Sequence, residues 1–205
     1  MIRKTVLVAI ALTVMLCGEA NAAKVSEDVV KETIVKHSLE MNIDPALALS
    51  IAKKESGFRH ELRSRHGAVG VFQLLPSTAR IMGYNPYYLS ENIKAGLTYY
   101  KMMYKMFGST ELALAAYNAG PGNVRRCGGK IPPYAETKRF VNVIMQDYHN
   151  QKKNPDPAIA KVKNKSPIQL PEKKSEVIKA PKDFELPFLN EIPELKNSDP
   201  VMEIL

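Results

Sequence analysis

Along residues 26–150 the apolar positions recur every three or four residues, the period of helices packed on one face. Val30, Ile34, His37 and Met41 share a face of a first helix, with Ser26 as its N-cap and Glu27 and Asp28 near the positive end of its dipole. His37 reads there as a core or boundary residue. A second helix has Asp44 as N-cap and Pro45 at its first position, carries Leu47 and Ile51 at i, i+4, and stops at Gly57. Pro76 opens a short helix ending near Gly83. Ile93, Leu97, Tyr100, Tyr104 and Phe107 step along a long amphipathic helix stopped by Gly108. Ser109 caps the next, which runs through Leu112, Ala115 and Ala116 to Tyr117. A last helix covers about residues 135–150, with Phe140, Val143, Ile144 and Tyr148 on one side. No run of convincing length has strand period, and there is no internal repeat. The expected fold class is mainly α.

One position breaks the pattern of the second helix. Glu55 lies at i+8 from Leu47 and so falls on the apolar stripe, in the last turn. Burial and the negative end of the helix dipole both disfavour its ionised form. A glutamic acid kept neutral near neutral pH can donate a proton to a leaving group. The bland reading is a capping or salt-bridged glutamate near Lys53, Lys54 and Arg59. From this segment alone the two readings stand level.

Composition changes the picture at both ends. Residues 1–22 have the form of a secretory signal peptide: Arg3 and Lys4, an apolar run over residues 6–16 too short for a comfortable membrane span, and the cleavage pattern Ala20-Asn21-Ala22. After its removal no stable membrane span is expected, and the destination is outside the cytoplasmic membrane, the periplasm. Cys17 leaves with the signal, so Cys127 is alone and forms no intrachain disulfide. All eleven glycines precede residue 130, while eight of the fourteen prolines follow residue 150. Residues 151–205 hold ten lysines, nine acidic residues and two aromatics, Phe184 and Phe188, too little apolar surface to offset ordering entropy. The expected organisation is a signal at 1–22, one helical domain at 23–150 and a Pro/Lys-rich disordered tail at 151–205. The net charge of +8 suits an acidic polymer. No dense basic stripe with interleaved aromatics points to nucleic acid.

Five pieces then join Glu55: E-S-G-F at residues 55–58, S-x-x-G-A-x-G-x-x-Q-x-x-P-x-T-A from Ser64 to Ala79, N-I-x-x-G at 92–96, A-Y-N-A-G at 116–120, and I-P-P-Y-A-E-T-K-R-F-V at 131–141. Each is weak alone. In this order, over about residues 26–148, the chain resembles the soluble lytic transglycosylases, the lysozyme-like murein-cleaving domain of bacterial envelopes.

The resemblance implies a lysozyme-like helical fold acting on peptidoglycan glycan strands, without metal or organic cofactor. It implies nonhydrolytic cleavage of the β-1,4 bond between N-acetylmuramic acid and N-acetylglucosamine, leaving a 1,6-anhydro sugar, with Glu55 first as acid and then as base. By motif position Gln73 lines the saccharide groove, or else is a buried amide tying down the Gly70 turn. Tyr117 lies near the acid and bonds substrate or steers the carboxyl, or else is core. Glu136 contacts substrate at the groove edge, or else complements its helix dipole. Ser56 supports Glu55, and Tyr134 adds a groove wall. Val71-Phe72 stands where the family often has Leu-Met, which bears on subsite shape. His60 and His66 have no metal-site spacing. Two other readings remain: a goose-type muramidase using water and a second acid (Glu61, Glu91 or Glu136), and a peptidoglycan-binding structural subunit of an envelope machine. The tail would tether the protein to secretion, conjugation or pilus components.

Overall fold

The computed structural model describes residues 25–165, and capping chemistry marks several of its helix ends. Ser26 accepts from the Val29 amide to open α1 (Glu27–Glu40). Asp44 accepts from the Ala46 amide at 2.9 Å to open α2 (Pro45–Ser56), and left-handed Gly57 closes it at φ 58°. Then come α3 (Pro76–Ile81), α4 (Leu89–Phe107) stopped at Gly108, and α5 (Thr110–Ala119) capped by the Ser109 side chain. Next are α6 (Pro121–Arg126), α7 (Ala135–Lys153) and α8 (Pro157–Lys165).

α2 is buried almost all round and is the central element, packed against α1 on one side and α7 on the other. α5 packs on α4, α6 and α7 and closes the layer beside it. Ile34, Leu49, Ile51, Ile93, Leu97 and Phe140 are among the largest side chains wholly enclosed between these helices. His37 is buried as expected, held between Glu40 and Ser90 by two contacts of 2.8 Å.

Between α2 and α3 the chain makes two isolated antiparallel bridges, Arg63 with Val69 and Val69 with Leu74. This small turn is clamped from α4. Asn92, wholly buried, accepts from the Phe72 amide at 3.0 Å and donates to the carbonyls of Val69 at 2.9 Å and Pro86 at 3.2 Å. A Cβ on Gly96 would strike the Phe72 ring, and one on Gly70, at φ 77°, would strike Asn92. The N-I-x-x-G spacing thus supplies one amide that bonds the turn and one gap that admits Phe72.

Three sequence expectations need correction. Tyr104 is exposed, although Met103 beside it is wholly buried, while Tyr100 is buried. α6 was not anticipated; Pro121 starts it directly after Gly120. Helical structure also runs past residue 150. α7 continues to Lys153, and α8 lies within the stretch expected to be a tail. Ala158 and Val162, four residues apart, are buried against the core, with Lys161 and Lys165 bonding Glu32 of α1. Two small apolar residues at that spacing suffice because α1 already offers a surface. Residues 1–24 and 166–205, with the expected signal and most of the expected tail, lie outside the described residues. Among the described residues no helix is long and apolar enough to cross a membrane.

Candidate active site

Glu55 stands in the last turn of α2, 1 % exposed. Neither carboxyl oxygen has a hydrogen-bond partner. The left-handed cap at Gly57 turns the chain away immediately after it, so α2 presents the carboxyl from a rigid helix end. Burial pushes its pKa up to about 8; the Lys54 ammonium pulls it down and the Glu136 carboxylate adds to the rise. The capping or ion-paired alternative therefore does not describe this side chain. Lys53 instead bonds Asp147 at 2.6 Å, Lys54 lies over the Phe140 ring at 5.5 Å, and Arg59 donates to the Ser56 carbonyl.

Tyr117, on α5, is the neighbour whose hydroxyl is raised well above its ordinary pKa, by burial first and by the Glu55 charge second. Its hydroxyl donates to the Phe72 carbonyl at 2.8 Å, and its ring meets Tyr99 edge-on at 5.1 Å. Glu136, half-buried in the first turn of α7, is close enough to act on Glu55 electrostatically. Helices α2, α5 and α7 thus bring together residues 55, 117 and 136 of the chain.

The remaining candidates take different places. Ser56 does not support Glu55: its hydroxyl is directed to the carbonyls of Ala52 at 3.2 Å and Val71 at 2.9 Å, which fastens the turn to α2. Gln73 is buried in a left-handed conformation at φ 43°, and its amide donates to the carbonyls of Gly70 at 2.8 Å and Leu62 at 3.2 Å. The reading as a buried amide on the Gly70 turn describes those bonds. Tyr134 caps the approach to α7 half-buried, its hydroxyl donating to Asn123 Oδ1 at 3.1 Å. Sequence reasoning passed over Asn92 and Asn123 as site-building groups and read Asn118 as shaping its helix end. Thr137 donates to Asn118 at 2.8 Å, joining α7 to α5 one residue beyond Tyr117. The A-Y-N-A-G motif contained the signal for Asn118, and the N-I-x-x-G motif for Asn92. Among the described residues no three His, Cys, Asp or Glu side chains gather as a metal-holding group.

A buried carboxyl without hydrogen-bond partners, with a tyrosine and a second carboxylate acting on it or on its neighbours, lies in a mainly helical, lysozyme-like body. The family model described as the transglycosylase SLT domain matches residues 32–139, and the chain belongs to that family. It is 35 % identical over 130 residues to the soluble lytic murein transglycosylase of Escherichia coli K12, covering 51 % of this chain and 20 % of that one. To the transglycosylase of Enterobacteria phage PRD1 it is 31 % identical over 115 residues, covering 55 % and 43 %. Among solved structures, the 70 kDa soluble lytic transglycosylase of Escherichia coli superposes with a TM-score of 0.53 at 25 % identity, over 62 % of this chain and 25 % of that one. An inactive mutant of the lytic transglycosylase Slt of Pseudomonas aeruginosa gives 0.52 at 27 % identity, over the same shares. The chain spans about a fifth of the length of the curated Escherichia coli relative.

Proposed function

We propose that this protein is a peptidoglycan lytic transglycosylase that cleaves the MurNAc-β-1,4-GlcNAc bond and leaves 1,6-anhydroMurNAc. The observation behind the proposal is Glu55: enclosed, without a donor on either oxygen, and held protonated near neutral pH. Its first task is to give that proton to the glycosidic oxygen, so that the departing GlcNAc leaves with a 4-hydroxyl. As the bond from the anomeric carbon breaks, the oxygen of the muramoyl 2-acetamido group closes on that carbon. Glu55, now a carboxylate, takes the proton of the muramoyl 6-hydroxyl. The 6-oxygen then bonds the anomeric carbon and displaces the acetamido oxygen. No water is consumed, and Glu55 ends protonated, so one carboxyl does work that commonly takes two. In this scheme Tyr117 and Glu136 face the reacting sugar, Gln73 and Ser56 hold the turn that forms a groove wall, and Tyr134 extends that wall.

A second reading, a goose-type muramidase that uses water, is favoured by one observation: a second carboxylate, Glu136, acts on Glu55. Mass spectrometry of soluble products from purified sacculi separates the two. Anhydromuropeptides from the wild type and none from Glu55→Gln are expected. Reducing-end muropeptides would assign a hydrolase, and no product from a folded wild type would favour a binding subunit.

We place the reaction outside the cytoplasmic membrane, in the periplasm, where its polymer lies and where residues 1–22 would direct the chain. The setting we propose for it is local wall opening for a secretion, conjugation or pilus apparatus. Pull-down with residues 166–205 deleted tests the tether; α8 is kept because it belongs to the folded body. Unchanged recovery of partners would remove that role.

A further inference from the structure

Just after Glu55 two consecutive residues have left-handed backbone, Gly57 at φ 58° and Phe58 at φ 64°. A glycine adopts that conformation freely. For a bulky aromatic residue it is strained, and it persists only where the surroundings hold it. Phe58 is held in two ways. Its side chain is buried in the core, and the Lys31 ammonium lies over its ring at 4.8 Å.

Lys31 is itself fixed from two sides. It pairs with Glu27 of α1 at 2.7 Å and with Asp156, just ahead of α8, at 3.1 Å. Asp156 is held in turn, because its other carboxyl oxygen accepts from the Ala158 amide at 2.9 Å in the first turn of α8. That helix is anchored by buried Ala158 and Val162 and by Lys161 and Lys165 on Glu32, the residue after Lys31. A line of contacts therefore runs from α8 through Asp156, Lys31 and Phe58 to the turn that follows Glu55. Neither Lys31 nor Asp156 falls within residues 32–139.

We propose that Lys31 and Asp156 are positioning residues for Glu55, and that α8 is the strap that holds them. Through Phe58 they keep the left-handed turn in place and the carboxyl enclosed. The inference deepens the acid–base role given to Glu55 above and rests on that reading. Glu55 has no donor, so its neutral state depends on keeping water out. A Phe58 that relaxes to ordinary backbone redirects the chain at the end of α2 and lets water reach the carboxyl. The groups that act on Glu55 or feel its charge are Lys54 of α2, Glu136 of α7 and Tyr117 of α5, none of them in the strap. Loss of the strap thus has a sign of its own. Taking a nearby cation away raises a carboxyl pKa, whereas admitting water lowers it.

The test is a carbon NMR titration of Glu55 in full-length protein labelled at its glutamate carboxyls, the signal assigned by its loss in Glu55→Gln. The wild type should titrate at about 8. Lys31→Met should titrate about one unit lower, and Asp156→Asn should move the same way by less. Lys31→Arg keeps the charge over the ring and the pair with Asp156, and should match the wild type. Turnover of sacculi by Lys31→Met should then fall about fivefold near pH 8 and little near pH 6. Asp156→Asn keeps the oxygen that bonds the Ala158 amide, so it carries the test if Lys31→Met does not fold. A Glu55 unmoved in the folded variants, or one that titrates higher, overturns the proposal. Sacculi that yield no anhydro products while Glu55 shifts as expected would end the reaction assignment and leave the strap standing. Anhydro products beside an unmoved Glu55 would end the strap alone.

Discussion

Two carboxylates along the α2–α7 seam meet opposite fates. Asp147, on α7, accepts from Ser50 at 2.9 Å, Lys53 at 2.6 Å and Gln151 at 3.0 Å. Burial pushes its pKa up, but Lys53, Gln151 and Ser50 outweigh it and hold the carboxyl below its usual range. Glu55, at the other end of the seam, is more deeply buried and has no donor, and its pKa goes up to about 8. Desolvation has the same sign at both. The supply of donors decides the outcome. The carboxyl with partners is held ionised, and the one without donors keeps its proton.

The sharpest way to break this contrast is Glu55→Gln. It should lower turnover of sacculi by at least about 10³-fold, since in the proposed reaction one group serves as both acid and base. In the wild type, kcat/KM should fall above pH of about 8, as the free enzyme loses the Glu55 proton. Activity that survives the substitution would end the assignment.

The same variant should be more stable than the wild type. Between the ordinary carboxyl value of 4.5 and about 8 the folded chain keeps a proton that the unfolded chain has released. Stability therefore falls as pH rises through that window. Glu55→Gln removes the loss, a gain on the order of 3 kcal/mol near neutral pH that vanishes below about pH 4. Urea unfolding at several pH values measures it, and equal stability at neutral pH would contradict a bare carboxyl.

Tyr117→Phe comes next. It leaves the buried Phe72 carbonyl without its donor and should cost about 1–2 kcal/mol. The upper pH limb should stay in place, because the hydroxyl is directed to Phe72; a limb that moves upward would show that it donates to Glu55. The smallest effect is expected at Asp147→Asn, about 1 kcal/mol at neutral pH. Its sign is opposite to that of Glu55→Gln. A lowered carboxyl adds stability above its ordinary value of 3.8, lost as pH falls through the folded pKa, so variant and wild type should converge in acid. A difference that persists there would point to packing instead.

Much of this was legible along the chain. Ser26, Asp44 and Ser109 announced three helix starts, and Gly57 and Gly108 two ends, because caps depend on residues within a turn of one another. The place of Glu55 on an apolar stripe followed from helical period alone. α8 was hidden, because a Lys-rich segment with two buried small residues acquires its packing only from α1. Ser56 was misread because its hydroxyl has two acceptors, Ala52 four residues back and Val71 fifteen ahead, and neither is Glu55.

The sequence by itself determined the helix starts at Ser26, Asp44 and Ser109, the ends at Gly57 and Gly108, and which face of α2 carries Glu55. These depend on short-range sterics, capping and periodicity. Only the tertiary structure decided that Glu55 has no donor. The groups that act on it or feel its charge come from α2 itself, α5 and α7. Packing commits the hydroxyls of Ser56 and Tyr117 to backbone carbonyls and brings Glu136 close instead. A pKa is set by the sum of such distant neighbours, and no local stretch of chain contains that sum.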